Sequence, residues 1–478
     1  MKDYITVIGG GLAGSEAAYQ IAKRGIKVKL YEMKPVKFSE AHFNKNLAEI
    51  VCSNSLKSNL LTNACGLLKE ELRRLDSLLI RIADETQVPA GQALAVDRDE
   101  FSKRVTEEIE KNSLIEVIHE EVGENLEEMS KEGIVILATG PLTSDSLSKQ
   151  IQKLTGQDKF YFYDAAAPIV SKESIDFDIA FYGDRYKQEK QKEETIEQWK
   201  KRLLKQDITE HSYINLPMSK LEYEDFCNSL IKAEVVTLHD FEKKEIFEGC
   251  MPIEIMAKRG IDTLRFGPLK PVGFDDPRTA KRPYAVVQLR QDDKIASMYN
   301  LVGFQTNLKY GEQKRVFSMI PGLKNAEFVK YGVMHKNTYI NSPELLDETY
   351  NLRNNNNIFF AGQITGVEGY VESISSGMVA ALNAIVKYFN SSLDVFIKEK
   401  NAKTFKNDIV LNAIKDNKQI VFSENTIIGA LAKYVSTLNK NFQPMNANFG
   451  ILPELEGEKI KEKKDRYMKL AQRSLNCF

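Results

Sequence analysis

A glycine-rich turn between two predicted strands, close to the first residue, constrains the fold more than any other feature of the sequence. Residues 4–8 (YITVI) form an apolar run that predicts a buried strand, and Gly9, Gly11 and Gly14 follow it in the spacing GxGxxG. A helical pattern comes next, and the run KVKLYE predicts a second strand that ends at Glu32. In such a unit the glycines let the backbone approach a pyrophosphate, and the terminal acid binds a ribose. The unit therefore predicts an adenine dinucleotide site.

Two later segments predict further strands of the same sheet. They are 133–140 (GIVILATG) and 357–366 (NIFFAGQITG), and the second leads into a long helical pattern with small residues at its start. The start of that helix is predicted to face a phosphate or an electron-rich ring, although an ordinary packed helix fits the same pattern. The predicted cofactor-binding residues are Gly9, Gly10, Gly11, Leu12, Ala13, Gly14, Glu32, Gly362, Gln363 and Gly377.

A single GxGxxG favours one permanently held dinucleotide, FAD, over a diffusing NAD. The middle of the chain differs in sequence pattern: it has a charge-dense stretch and short runs that predict strands, such as EVVTL and DTLRF. The predicted fold class is α/β, a Rossmann-like FAD-binding domain with an inserted α+β domain. The expected division is a FAD-binding domain in two parts, 1–180 and 287–440, an insertion at 181–286 and a basic helical segment at 441–478.

The charge balance excludes a globally basic protein. Lys plus Arg number 66 against 67 Asp plus Glu, so the net charge is -1 and any nucleic-acid site must be a local basic face. Two helical patterns with a basic bias, 187–205 and 459–473, are candidates, although a charged run is more often a solvated face.

Five cysteines without a CxxC pair support neither a disulfide framework nor a zinc ribbon, and no residue cluster has metal-ligand spacing, so no metal is expected. The first uncharged run ends at Glu16, which is too short for a membrane span, and no export signal is seen. These features favour a cytoplasmic protein that does not enter a membrane.

Two cysteines lie in settings suited to a reactive thiol. Cys52 lies in the polar run VCSNSLKSN, where nearby donors and Lys57 favour a thiolate, and Cys250 lies in FEGCMPIE, which predicts a loop. For either one, an inert buried side chain remains the alternative.

Several longer stretches resemble one known family. They are VIGGGLAGSEAA, VCSNSLKSN, FEGCMPIEIMAKRG, TLRFGPLKPVGF, RPYAVVQLRQDD, LVGFQTNLKYGEQKRVF, PGLKNAEFVKYGVMHKNTYINSP and FFAGQITGVEGYVESISSG. Together they span nearly the whole chain and resemble the folate- and FAD-dependent tRNA (uracil-5-)-methyltransferase family, TrmFO. The first stretch is also similar to the glucose-inhibited division family, which modifies wobble uridines. The central stretches resemble the TrmFO family much more specifically. The segment around 187–205 is longer than is usual in the TrmFO family, which leaves the RNA target open.

The resemblance implies methyl transfer to C5 of a T-loop uridine in tRNA. Methylenetetrahydrofolate would donate the carbon, and FAD reduced by NADH or NADPH would supply the electrons, with no obligate protein partner. It implies that Cys250 is the nucleophile and Cys52 a second reactive thiol, and it makes His335 and Tyr339 candidates for the folate site, although a core histidine is an equal alternative. Ribosomal RNA as the substrate, or an FAD oxidoreductase acting on a small metabolite, remain alternative functions.

Overall fold

The computed structural model describes residues 2–156, 160–185, 193–204, 213–236, 251–391, 409–440, 442–457 and 460–478, without the side chains of 160–164, 200, 202–204 and 334–336. Within these residues the strands are β1 (Tyr4–Ile8), β2 (Lys27–Tyr31), β3 (Ser55–Ser58), β4 (Gln87–Val88), β5 (Ala93–Val96), β6 (Ile115–Ile118), β7 (Val135–Leu137), β8 (Phe160–Ala165), β9 (Ile169–Ser171), β10 (Phe181–Tyr182), β11 (Tyr213–Met218), β12 (Ala285–Gln291), β13 (Met298–Leu301), β14 (Phe328–Lys330), β15 (Met334–Tyr339), β16 (Asn351–Leu352) and β17 (Asn355–Phe360).

Across the same described residues the helices are α1 (Leu12–Lys23), α2 (Ala64–Arg74), α3 (Leu78–Glu85), α4 (Arg98–Glu110), α5 (Leu126–Glu132), α6 (Asp145–Thr155), α7 (Ile196–Leu204), α8 (Lys220–Lys232), α9 (Ile253–Lys258), α10 (Thr263–Phe266), α11 (Tyr310–Phe317), α12 (Ser342–Leu345), α13 (Tyr370–Asn390), α14 (Ile409–Lys415), α15 (Ile427–Ser436) and α16 (Lys463–Leu475).

The largest core surrounds a six-stranded sheet in the order β16-β17-β7-β1-β2-β6. β1 pairs in parallel with β2 and β7, β17 pairs in parallel with β7, and β16 is an antiparallel edge strand. Val7 and Ile8 of β1, whose side chains point to opposite faces, are 0 % and 3 % exposed, as expected for a central strand covered on both faces. The sheet therefore confirms the predicted fold class, including the two later strands read from 133–140 and 357–366.

Helix α1 packs closely on α13 at Gly377 and on the turn after β1 at Gly14. A Cβ atom on Gly377 of α13 would lie 2.3 Å from the carbonyl oxygen of Ala13, and one on Gly14 would lie 1.8 Å from the carbonyl oxygen of Gly9. Neither position can accept a side chain without moving backbone, so the two glycines fix how α1 sits on the sheet.

A second sheet, β10-β11-β12-β13-β9-β14, is antiparallel and has its own core. The helices α8 and α9 pack on each other and contribute buried residues to that core. Its strands run from Ile169 to Lys330, so they come from both sides of the expected 181–286 insertion. Two smaller sheets, β15-β8 and β3-β5-β4, complete the strands.

Three segments read from the sequence are refined by the structure. The strand-like reading of DTLRF is wrong: it forms α10, in which the carbonyl of Leu264 accepts the N–H groups of Gly267 and Leu269 and so satisfies the backbone locally. The basic run 187–205 contains α7 with Trp199 buried, while its first residues lie outside the description. The C-terminal basic run forms α16.

Candidate functional site

A cleft opens at the carboxyl ends of the parallel strands β1, β2, β7 and β17. It holds about 1110 Å³ of empty space including its mouth. It is lined by Ile8 and Tyr31, the last residues of β1 and β2, and by Thr139 and Gly362, which follow β7 and β17. Open parallel sheets bind ligands at this edge. The cleft is therefore where the predicted dinucleotide site belongs.

The three glycines of the first turn have separate structural roles. Gly9 has a φ of +103°, a conformation that disfavours side chains, and its N–H donates to the carbonyl of Tyr31 at 2.8 Å. Gly14 allows the close packing described above. Gly11 differs from both, because a Cβ atom placed there meets no protein atom within 4 Å. The space beside Gly11 is thus available to a ligand rather than to the protein.

The first turn of α1 leaves backbone donors for that ligand. Its N-cap, Gly11, provides no side-chain hydrogen bond, and Gly11, Leu12 and Ala13 all line the cleft. Unsatisfied N–H groups and the helix dipole make such an end favourable for a phosphate. The residues present therefore fit the pyrophosphate of a dinucleotide.

Glu32 lies in the cleft wall directly after β2, as the sequence predicted for a ribose-binding acid. Its Oε2 accepts the N–H of Gly10 at 2.9 Å, its Oε1 accepts the N–H of Lys34 at 2.9 Å, and the residue is buried. A carboxylate oxygen can accept more than one hydrogen bond, so both oxygens keep capacity for ribose hydroxyls.

The opposite wall comes from the segment after β17. Gly362, with a φ of +82°, and Gln363 line the cleft, and α13 begins a few residues later at Tyr370, which lines it as well. Gly377 is placed differently. It lies in the contact of α13 with α1, so it shapes the cleft through packing.

The loop that carries Cys52 is joined to the start of α13. The N–H groups of Cys52 and Ser53 both donate to the hydroxyl oxygen of Tyr370, at 2.9 and 3.1 Å, and the Cys52 thiol lies 3.5 Å from the carbonyl oxygen of Ala165. Cys52 is partly exposed, and its neighbour Val51 lines the cleft. The structure thus places this thiol at the margin of the cleft.

An arginine whose side chain is 14 % exposed contacts the same loop from the other side. Arg98, the first residue of α4, donates through Nε to both carboxylate oxygens of Asp292 at 3.1 Å, and through Nη1 to the carbonyls of Ile50 and Val51. Burial opposes the charge of Arg98, but Asp292 and its other neighbours outweigh burial and leave the pKa of Arg98 above its usual value. The guanidinium therefore stays charged beside the Cys52 loop.

A second arginine ties the loop to the antiparallel sheet. Arg290 of β12 donates to the side-chain oxygens of Ser53 at 2.6 Å and Asn54 at 3.1 Å. The amide of Asn54 in turn donates to the carbonyls of Val96 and Gln291. Burial lowers the pKa of Arg290. The VCSN segment is thus fixed between the two large cores.

Two other cysteines are poorly suited to act as nucleophiles. Burial raises the pKa of Cys65 to about 11 and the pKa of Cys227 to about 11, so both remain protonated near neutral pH. Cys250 lies outside the described residues, and its role stays a prediction.

The predicted folate residues are only partly described. His335 pairs with Asp164 across β15 and β8, but its side chain lies outside the description. Tyr339 is 3 % exposed, and its ring packs edge-on against Phe442 at 6.1 Å between centroids. The contact of Tyr339 with folate stays a prediction.

Sequence reasoning missed Tyr370, Arg98 and Arg290, although Arg290 lies in the QLRQDD motif and Tyr370 in EGYVES. No helix among the described residues is long and apolar enough to cross a membrane. The described residues also contain no group of three His, Cys, Asp or Glu side chains that could hold a metal ion.

Comparison with solved structures supports the fold. GidA of Aquifex aeolicus, in two crystal forms, matches 99 % of this chain with TM-scores of 0.62 and 0.61 at 14 % identity, and the match covers 73 % and 76 % of the GidA chains. The family model for glucose inhibited division protein A matches residues 4–392.

Curated relatives match over the full length. A protein of Acetivibrio thermocellus named methylenetetrahydrofolate–tRNA-(uracil-5-)-methyltransferase TrmFO is 56 % identical over 100 % of this chain and 98 % of its own. Relatives of the same name from Lactobacillus acidophilus (99 % of this chain, 97 % of theirs) and Enterococcus faecalis (100 % and 98 %) are each 52 % identical. The family resemblance read from the sequence is confirmed, and the chain belongs to the TrmFO family, within the broader glucose inhibited division protein A family.

Proposed function

We propose that this protein forms 5-methyluridine in the T-loop of tRNA, with methylenetetrahydrofolate as the carbon donor and FAD, reduced by NADH or NADPH, as the electron source. The observation that carries the proposal is the similarity over the full length to relatives named for this reaction, at up to 56 % identity. The dinucleotide cleft with a thiol at its margin supports the same reading.

The first task of the chain is to hold the cofactor. Gly11 and the first turn of α1 bind the pyrophosphate, Glu32 binds the ribose, and Gly362 and Gln363 form the opposite wall. When bound, FAD supplies the reducing equivalents that complete the methyl group.

The second task is to activate uracil, whose C5 is a poor nucleophile. A thiolate that adds to C6 makes C5 electron-rich, so that C5 can attack the one-carbon unit. Loss of the C5 proton to a base lets the bond between the one-carbon unit and its carrier break. Once the methyl group is complete, the thiolate leaves C6 and the aromatic ring is restored. We assign the thiolate to Cys250, and we assign Cys52 as a second reactive thiol at the cleft.

Arg98 and Arg290 act as positioning residues in this scheme. They hydrogen-bond the backbone and side chains around Cys52 without touching its sulfur in the described contacts. Arg290 is buried and the side chain of Arg98 is 14 % exposed, and their hydrogen bonds keep the loop between the two cores. His335 and Tyr339 remain candidates for the folate site, and a cytoplasmic location fits free thiols and a tRNA substrate.

The test is methylation with purified components. The protein is given an unmodified tRNA transcript, methylenetetrahydrofolate labelled in the methylene carbon, and NADH or NADPH in separate reactions. We expect label in 5-methyluridine, and nuclease digestion with mass spectrometry should place it in the T-loop fragment. The faster of the two nicotinamide reactions identifies the physiological reductant.

Two parallel reactions separate the alternatives. A ribosomal RNA transcript replaces tRNA in one, and S-adenosylmethionine labelled in its methyl group replaces the folate in the other. Label in ribosomal RNA but not in tRNA would show that ribosomal RNA is the substrate, which is the alternative function given above. Label arriving from S-adenosylmethionine would contradict the proposed reaction.

A further inference from the structure

The second core carries one aromatic ring that is almost fully exposed. Phe266, the last residue of α10, is 82 % exposed, and Ile261 nearby in the chain is 43 % exposed. Exposing a Phe ring to water is unfavourable by roughly 1.5–3 kcal/mol relative to burying it. A ring held out in this way suggests a surface that meets a partner.

The backbone beneath Phe266 is firmly held. Leu264 is fully buried, and its carbonyl accepts the N–H groups of Gly267 at 3.1 Å and Leu269 at 2.8 Å. The N–H of Phe266 itself donates to the carbonyl of Asp262 at 3.3 Å. The ring is therefore presented from a fixed turn, which lowers the entropy lost when a partner stacks on it.

Arg265 connects this turn to a second turn, residues 276–284, which carries Lys281 and Arg282. Its guanidinium carbon lies 3.6 Å from the centroid of the Tyr284 ring, and its Nε donates to the carbonyl of Tyr284 at 3.0 Å. Because Lys281 and Arg282 lie two to three residues before Tyr284, this contact brings their turn close to the residue that precedes Phe266. The basic turn is itself fixed, since the N–H of Asp276 donates to the carbonyl of Lys281 at 2.9 Å.

The surrounding segment, 251–284, is basic at its surface. It contains seven basic and four acidic residues: Lys258, Arg259, Arg265, Lys270, Arg278, Lys281 and Arg282 against Glu254, Asp262, Asp275 and Asp276. Three of the acids are engaged within the protein: Glu254 is buried against Thr306 and Asn307, Asp262 pairs with Arg265, and Asp276 pairs with Arg278.

Besides Arg278, which pairs with Asp276, four basic side chains of this segment are exposed. They are Lys258, Arg259, Lys281 and Arg282, and with Phe266 they define what we call the Phe266 surface. Proteins that bind unpaired nucleotides combine an aromatic ring, on which a base stacks, with Lys and Arg that contact phosphates. A protein partner is a poorer fit, because the cores of protein interfaces are depleted of charged residues.

We propose that the Phe266 surface binds the RNA substrate, with an unpaired base of an RNA loop stacked on Phe266 and the flanking phosphates on Lys281 and Arg282. This inference rests on the proposed function and names the RNA-docking face that serves it. The segment follows Cys250 in the chain, and α9 is anchored at its start because the N–H of Ile253 donates to the carbonyl of Gln305 at 2.7 Å.

The experiment measures binding of a fluorescein-labelled, unmodified tRNA transcript to the FAD-loaded enzyme by anisotropy, over a series of salt concentrations. We expect Phe266→Ala to raise Kd about tenfold, since stacking on an aromatic side chain is worth about 1–3 kcal/mol per base. Phe266→Trp should stay within about twofold of the wild type because it keeps a stacking face. The double variant K281E/R282E should weaken binding and reduce the slope of log Kd against log salt by about one to two.

Ile295→Ala is the matched control, because Ile295 is 83 % exposed, like Phe266, but lies elsewhere on the protein. It belongs to the turn between β12 and β13, where the N–H of Lys294 donates to the carboxylate of Asp97. It should bind RNA like the wild type. Flavin absorbance of each variant checks that the fold is kept. Wild-type Kd for Phe266→Ala, an equal loss in Ile295→Ala, or failure of Phe266→Trp to restore binding would each overturn the inference. Failure of the proposed function is distinguished separately, as absence of methylation by the wild-type enzyme that still binds RNA.

Discussion

The hydroxyl oxygen of Tyr370 accepts the backbone N–H of Cys52 at 2.9 Å, across 318 positions of sequence. The same oxygen accepts the N–H of Ser53. Burial, followed by the charge of Cys52, raises the pKa of Tyr370, so the phenol stays neutral. A single side chain at the start of α13 thus satisfies two donors of the loop at the cleft.

Replacing this tyrosine should loosen the loop. Tyr370→Phe removes the acceptor of two partly buried N–H groups and should lower the free energy of unfolding by about 1–2 kcal/mol, the lower part of the range for donors left unpaired. Urea unfolding of the FAD-loaded protein measures this change in the free energy of unfolding. Alkylation of Cys52, measured by mass spectrometry, should become faster in the variant. Tyr434→Phe is the control, because its half-exposed hydroxyl makes one bond to the carbonyl of Gln443. Equal effects of the two variants would contradict the special role of Tyr370.

The glycines of the first turn should separate cofactor binding from folding. A Cβ atom at Gly11 meets no protein atom within 4 Å, so Gly11→Val should keep the stability of the FAD-free protein within about 0.5 kcal/mol while abolishing flavin binding. A Cβ atom at Gly14 would lie 1.8 Å from a backbone oxygen, so Gly14→Ala should destabilise the protein itself. Visible absorbance measures bound flavin, and urea unfolding measures the stability of each variant. A yellow Gly11→Val protein would show that the cofactor does not approach this residue.

The local parts of this site could be predicted from sequence, and the long-range parts could not. Gly9, Gly11, Gly14 and Glu32 follow one another within a single strand–helix–strand unit, whose spacing alone brings them together. Arg98 and Asp292, by contrast, are 194 residues apart, and their pairing depends on how the two cores meet. No periodicity or motif within either segment encodes that contact.

Short runs are the other place where the sequence predicts the wrong secondary structure. The run DTLRF has the apolar and β-branched residues of a strand, but it forms one helical turn in which the carbonyl of Leu264 accepts the N–H groups of Gly267 and Leu269. Such a run is too short for its pattern to distinguish a strand from a turn of helix. Conversely, the apolar runs in β1, β7 and β17 predict their strands correctly, because a strand buried in a parallel sheet is continuously apolar.

A buried carboxyl should make stability depend on pH. Burial raises the pKa of Glu71 from 4.5 to about 7, although the side chain accepts the N–H groups of Ile427 and Ile428 and the hydroxyl of Ser474, which oppose the rise. Because the folded state binds the proton more tightly than the unfolded state, this group's contribution to stability is full below about pH 4.5 and is lost as the pH rises to about 7.

Glu71→Gln should therefore gain stability relative to the wild type as the pH rises, by at most about 3 kcal/mol across that window. Urea unfolding at several pH values measures the difference between the two proteins. Glu70→Gln, one residue away on the partly exposed side of α2, should follow the wild-type profile. A constant difference between Glu71→Gln and the wild type would show that the carboxyl does not titrate in this range.

The assignment of the two thiols gives the sharpest chemical prediction. The nucleophile leaves uracil only when the C5 proton is lost, so RNA containing 5-fluorouracil, which has no such proton, should stay covalently attached to the enzyme. Wild-type enzyme should form this complex, and Cys250→Ala should retain FAD but form neither the complex nor 5-methyluridine. Cys52→Ala is a demanding control, because Cys52 lies beside the cleft in a loop held by Tyr370 and Arg98. Denaturing gel electrophoresis detects the complex, and peptide mass spectrometry locates the attached residue. If the attachment maps to Cys52, or if Cys250→Ala keeps wild-type turnover, the roles of the two cysteines must be exchanged or abandoned even though the family membership stands.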